Sequence, residues 1–158
     1  MTFTIRRYKA ADAGAVADVF FRSVREVAAS DYDEAQRTAW MPELRSAGQI
    51  HGWAGDGRLV LVAVDDGDRV VAFTDLEADG HVDHLFCAPE AAGRGVAARL
   101  CDAVEEAARA QGIGRLYTEA SELARRRFER QGYTVLERQD MVLRGVPIHN
   151  YRMEKVLS

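Results

Sequence analysis

The chain has 158 residues, 47% of them hydrophobic and 29% charged, with a formal net charge of −4. That length supports one domain with a substantial core, and the negative balance excludes a general electrostatic role on nucleic acid while weakly suiting a cationic substrate. No apolar run approaches the ~18 residues of a membrane span, and the opening MTFTIRRYKAAD lacks the apolar heart of a signal peptide. Cys87 and Cys101 have no CxxC partner, which reads as reduced, buried thiols. The expectation is one cytoplasmic domain over residues 1–158, with neither nucleic acid nor membrane as a partner.

Thr2–Tyr8 reads as a first strand. Val16, Val19, Phe20, Val24 and Val27 then recur at helical spacing, with Asp18, Arg22 and Arg25 between them. Asp33, with Gln36 three residues on, predicts the start of a short second helix that Pro42 ends. Glu43 to Arg58 is ambiguous, with Gly48, Gly52, Gly55 and Gly57 favouring a loop. A meander follows: Leu59–Val64 and Arg69–Glu77 are joined by the tight-turn pair Asp66-Gly67, and Asp79-Gly80 leads into His81–Cys87. Val96, Leu100, Val104 and Ala107 or Ala108 form the stripe of a helix running to about Gln111, stopped by Gly112 and Gly114. Arg115–Ala120 is another strand, and Ser121 caps a helix ending at Gly132. Thr134–Leu143 and Ile148–Val156 are two last strands separated by Arg144-Gly145. The order βααβββαβαββ predicts a mixed α+β domain around a central meander.

The stretch HLFCAPEAAGRGVAARL puts Gly93, Arg94 and Gly95 at the head of a helix. A helix N-terminus carries unpaired N–H groups and about half a positive charge, and glycine lets a phosphate approach that backbone. Arg94 can add a charge-assisted contact. A plain strand-to-helix turn would use the same glycines. GxxxxGK[ST] is absent. Gly93-x-Gly95-x-x-Ala98, with Glu119 downstream, does match the dinucleotide fingerprint of an oxidoreductase, but Ala88-Pro89-Glu90-Ala91-Ala92 separates those glycines from the strand.

From its first strand to its last hairpin the chain resembles the GNAT superfamily of N-acetyltransferases, in particular a subgroup of small bacterial single-domain enzymes. The resemblance rests on AGRGVA (Ala92 to Ala97), on FERQGY (Phe128 to Tyr133), on IRRYKAADAGAVADVF, DYDEAQRTAWMP and RGVPIHNYRMEK, and on their order. It implies a GNAT-like acyl-CoA N-acyltransferase fold: a mostly antiparallel twisted sheet with a splayed parallel pair, flanked by about four helices. It further implies acetyl-CoA as acyl donor without a metal, a small amine as acceptor, and leaves a homodimer open. Leu85, Phe86 and Cys87 would meet the pantetheine through their backbone, and the N–H groups of Gly93 through Ala98 would hold the pyrophosphate. Ala92 stands where the family usually carries Gln or Arg.

For the base, the strand HVDH offers Asp83 and His84; alternation would put His81 and Asp83 on one face and His84 on the other. Imidazole titrates near neutrality, which favours His84. The family's usual acid, a tyrosine, is replaced by Phe128, so Tyr117, Tyr133, Tyr151 or water must protonate the thiolate, or no specific donor is needed. His149 and Tyr151 in the last strand are candidates to reach the acceptor, although core packing explains Tyr151 almost as well. Phe20, Phe21, Tyr32, Trp40 and Trp53 concentrate aromatic residues in the least family-like part; Phe20, Tyr32 and above all Trp40 are candidate walls for the acceptor, although helix packing explains Trp40 as well. Arg125, Arg126 and Arg127 read as a solvated face or as partners of the coenzyme's 3′-phosphate. Ala92 and Phe128 leave a second reading open, a non-catalytic acyl-CoA sensor.

Overall fold

The computed structural model describes residues 2–158; Met1, at the head of the opening segment, lies outside the described residues. Its strands are β1 (Thr4–Arg7), β2 (Leu59–Val64), β3 (Val70–Leu76), β4 (Leu85–Cys87), β5 (Arg115–Ala120), β6 (Thr134–Leu143) and β7 (Val146–Val156). Its α-helices are α1 (Ala13–Arg25), α2 (Glu34–Trp40), α3 (Ala47–Ala54), α4 (Val96–Ala110) and α5 (Glu122–Arg130).

Local chemistry explains most boundaries. The Asp33 carboxylate accepts from Gln36 N at 2.8 Å while the Gln36 side chain accepts from Asp33 N at 3.0 Å, a reciprocal cap that starts α2. The same device, Ser46 with Gln49, starts α3 inside the segment expected to be a loop. There the glycine count misleads, because one capping box and the fully buried Ile50 outweigh the cost of Gly48 and Gly52. Arg144 and Gly145 both take positive φ, the geometry of the tight turn joining β6 to β7.

The strands form two antiparallel sheets, β1-β2-β3-β4 and β5-β7-β6. Val16, Val19, Phe20 and Val24 of α1 pack with Ile50 of α3 against Val62, Val64 and Phe73. Leu100 and Val104 of α4 and Phe128 of α5 belong to a second core with Leu61, Ala63, Val71, Leu116 and Met153. The sheets touch where Tyr117 N donates to Gly80 O (3.1 Å) and Val82 N to Tyr117 O (2.9 Å), a parallel bridge. Gly80 has φ +99°, and a Cβ there would lie 2.1 Å from the Arg115 carbonyl oxygen, so no side chain fits this crossing. β4 is an edge of one sheet and β5 an edge of the other, which yields the expected splayed parallel pair. Among the described residues no helix is long and apolar enough to cross a membrane.

One expected strand is cut short. Within His81–Cys87 regular pairing holds only for Leu85–Cys87, because the backbone before it is diverted to a buried carboxylate.

Candidate active site

That carboxylate is Asp75 in β3, fully buried. Its Oδ1 accepts from the backbone N–H groups of Asp83 (2.8 Å) and His84 (3.0 Å), and its Oδ2 from His84 Nδ1 (2.8 Å) and Arg58 Nη1 (2.8 Å). Burial alone would raise the Asp75 carboxyl, but the hydrogen bonds and charge of His84, with Arg58, hold it below the usual carboxylate range. The expected alternation therefore fails. Asp83 and His84 converge, with Asp83 Oδ2 3.6 Å from His84 Nδ1, while His81 turns away to Glu77 and Glu119.

The His84 ring is fixed from three sides. Trp53 stacks on it at 4.5 Å and 17°, Phe20 meets it edge-on at 5.4 Å, and Asp75 takes its Nδ1–H. A proton held on Nδ1 leaves the Nε2 lone pair of the neutral ring free. Among the described residues Nε2 has no protein partner. Asp75, Asp83 and His84 place donor atoms within 4.8 Å of one another, yet the Arg58 guanidinium already sits 2.8 Å from Asp75 and 2.9 Å from Asp83. The cation of this cluster is a side chain.

His84 and Asp83 line a cavity of about 240 Å³ with Phe20, Tyr32, Trp40, Leu85, Phe86, Glu119 and Phe128, closed by Met141, Leu143 and Ile148 of the β6–β7 hairpin. All three acceptor-wall candidates, Phe20, Tyr32 and Trp40, are thus in its lining. His149 and Asn150 line it too. The bond from Ala88 N to Val71 O fixes the phase of the β3–β4 ladder. Phe86 therefore spends its backbone on β3, while Leu85 and Cys87 direct theirs into the gap beside β5.

A second cleft, about 420 Å³, opens on the other side of that gap. It is lined by Cys87, Ala92, Gly93, Gly95, Val96, Ala97 and Ala98, and by Arg126, Arg127 and Arg130 of α5. Gly93 (φ +76°) and Gly95 (φ +81°) are left-handed, and a Cβ on either would meet open space, so the cradle is wide enough for a ligand. The first-turn N–H groups of α4 face it without intrahelical partners. Arg94 does not line the cleft; its Nε folds back to the Glu90 carbonyl at 2.9 Å. Arg125 also stays out, paired with Glu122 and Glu129 and lying over Tyr151. Burial raises the Cys87 thiol, which leaves it a poor nucleophile.

The proposed acids separate. Tyr117 points to Asp79 on the far side of the sheet crossing, and that hydrogen bond pushes it up to about 12. Tyr133 is buried behind Phe128, ring centroids 4.8 Å apart, and desolvation raises it strongly. Tyr151 stacks with Arg125 outside the cavity lining. The tyrosine in the cavity lining is Tyr32, whose hydroxyl accepts from Glu122 N at 2.7 Å and is raised by burial. Sequence reasoning also missed Asp75 and Arg58. Asp75 had a signal, as the acid inside the otherwise apolar VVAFTDL of β3.

A split sheet whose gap joins an anion cradle at a helix N-terminus to a cavity holding a carboxylate-anchored imidazole defines an acyl-coenzyme A-dependent transferase. The acetyltransferase (GNAT) domain family matches residues 28–155, and the chain belongs to that family. It shares 32% identity with the GCN5-related N-acetyltransferase of Rhodopseudomonas palustris, over 99% of this chain and 97% of that one, with a TM-score of 0.89. The fold is also that of yncA from Salmonella typhimurium, solved with acetyl-CoA (18% identity, 100% and 95% covered, TM-score 0.78). It is shared as well with a phosphinothricin acetyltransferase from Sinorhizobium meliloti in complex with AcCoA (18%, 100% and 90%, 0.80). A search of curated proteins gives no match.

Proposed function

We propose that this chain, acting as one cytoplasmic domain, moves the acetyl group of acetyl-CoA to the primary amine of a small molecule by direct attack, with His84 as the base. The observation that carries this reading is the Asp75–His84 pair, whose free Nε2 belongs to the cavity beside the open edge of β4. Gly93, Gly95 and the N–H groups of Val96 through Ala98 would hold the pyrophosphate, and Arg126, Arg127 and Arg130 the remaining phosphate charge. The coenzyme supplies an acetyl thioester. The outward-facing backbone of Leu85 and Cys87 orients that arm and offers N–H groups to its carbonyl.

His84 Nε2 takes the proton of the bound ammonium, and Asp75 stabilises the imidazolium that results. Asp83, held by Arg58 at 2.9 Å, lies beside the same ring, its Oδ2 3.6 Å from His84 Nδ1. The leaving sulfur needs no tyrosine, because a thiol of pKa about 8.5 is reprotonated by water near neutrality.

The test is release of free thiol from acetyl-CoA over a panel of amines, with wild type, His84→Ala and Asp83→Ala. His84→Ala should lower kcat by about 100-fold or more and flatten the acidic limb of the pH profile, while Asp83→Ala keeps that limb. Wild-type activity in His84→Ala would move the base elsewhere. Tight coenzyme binding without release to any amine would favour the acyl-CoA sensor.

A further inference from the structure

We infer that the acceptor is an amine borne on an uncharged, apolar body, and that a carboxylate or phosphinate beside the amine is rejected; this rests on the acyl-transfer reading above. The apolar part of the cavity lining is built from Phe20, Trp40, Phe86, Met141, Leu143 and Ile148. The acidic side chains of the cavity are Asp83 and Glu119, and its imidazoles are His84 and His149. Among the described residues, no lysine or arginine lines it.

The arginines nearest to it are committed elsewhere. Arg25 Nε donates to Met41 O at 2.9 Å, Arg37 Nη1 to Arg25 O at 2.6 Å, and Arg144 Nη1 to Ala39 O at 2.6 Å. Arg25 and Arg37 tie α1 to α2 and its C-cap, and Arg144 ties the β6–β7 turn to α2. Arg58 is shared among Asp56, Asp75, Glu77 and Asp83, which leaves that cluster net negative. Arg45 lies over the Phe20 ring, 5.6 Å from its centroid, and hydrogen-bonds the Met41 sulfur. It too is absent from the lining.

An anionic substituent entering this cavity would lose its water and find no lysine or arginine in the lining, the nearby Arg58 and His81 being already paired with Asp83 and Glu119. An ammonium meets the opposite situation. Asp83 and Glu119 attract it, the free Nε2 of His84 waits for its proton, and the aromatic wall takes the body. The same chain does line a cavity with arginines: Arg127, Arg130 and Arg126, the last also paired with Asp31 at 2.7 Å, stand in the proposed coenzyme cleft. Their absence around His84 is therefore a difference between two sites of one molecule, and it sets this cavity apart from one suited to an acidic amino acid such as phosphinothricin.

Matched pairs isolate the carboxylate. 2-Phenylethylamine against phenylalanine, and 3-methylbutylamine against leucine, are titrated calorimetrically into the wild-type protein saturated with coenzyme A. The same four compounds are then turned over with acetyl-CoA. Each amine should bind on the order of 100-fold more tightly than its amino acid. An amino acid that binds as tightly as its amine overturns the inference, as does failure of both amines to bind at millimolar concentration. A clear binding preference without any release of thiol would reject acyl transfer and leave the cavity assignment standing. Turnover of phenylalanine with 2-phenylethylamine inert would do the reverse.

Discussion

The two ends of the gap are made of different material. On the proposed coenzyme side the contacts come mainly from backbone (left-handed Gly93 and Gly95, the first turn of α4, and the unpaired edge of β4), with Arg126, Arg127 and Arg130 added from α5. On the acceptor side they come from side chains on separate elements, with Asp75 on β3, His84 before β4, Trp53 on α3 and the apolar wall on α1, α2 and the β6–β7 hairpin. A backbone site tolerates most substitutions that preserve its conformation. A side-chain site fails when one member changes.

The comparison breaks most completely at the cradle. Gly95→Val places a β-branched residue at φ +81° and puts bulk where the pyrophosphate should lie. Coenzyme affinity should fall at least about 1,000-fold by calorimetry, with the far-UV spectrum unchanged. Ala97→Glu should do the same through charge. Tight binding by either would remove the cradle assignment.

Asp75→Asn tests the other side through stability. It leaves Arg58 and His84 around a neutral buried amide, and denaturant unfolding at pH 7 should show a loss of about 3 kcal/mol. The Asp75 carboxyl is lowered in the fold, so its contribution is present above the unfolded value near 3.9 and disappears as the pH falls through the folded one. Wild type and variant should thus converge in acid. A gap that persists at pH 2 would mean that packing, not charge, separates them.

His81 joins both halves, held between Glu77 and Glu119 across the sheet crossing. Burial lowers it, but the two carboxylates outweigh burial and raise it above its ordinary value near 6.5. The protonated form is the one the fold favours, so its contribution is complete below about 6.5 and is lost as the pH rises through the folded value. The melting temperature of His81→Gln should trail wild type at pH 6 and match it at pH 9. An equal deficit at both would show that charge is not what clamps the crossing.

The smallest effect belongs to Phe128, on the border between the two ends. Phe128→Tyr should change kcat at saturating acceptor by less than about threefold, or ~0.7 kcal/mol of barrier, the outcome expected if attack and not thiolate protonation limits turnover. A large gain would show that a missing hydroxyl had been limiting.

This division also explains what could be read in advance. Gly93, Gly95 and the stripe of α4 announce a backbone cradle because conformation and period leave marks on a linear sequence. Leu59–Val64, Arg115–Ala120 and Thr134–Leu143 were legible to the residue for the same reason. His84 was legible as chemistry, but its environment was not. Asp75 lies nine positions away, and its hold on two backbone N–H groups dissolves the alternation that His81–Cys87 would otherwise follow. Arg58 and Trp53 belong to a stretch where four glycines suggested loop, and only packing of Ile50 against α1 makes α3 worth forming. Arg94 looked like a phosphate ligand from its neighbours, yet the nearby Glu90 carbonyl claims it.

The crossing at Gly80 has a mechanical meaning. Two backbone hydrogen bonds and a glycine pressed toward a carbonyl oxygen make a fulcrum, with β4 and β5 as its two levers. The angle at which β4 and β5 part is thus set at this crossing, before the strands line the gap. The side chain missing at Gly80 keeps the wedge narrow.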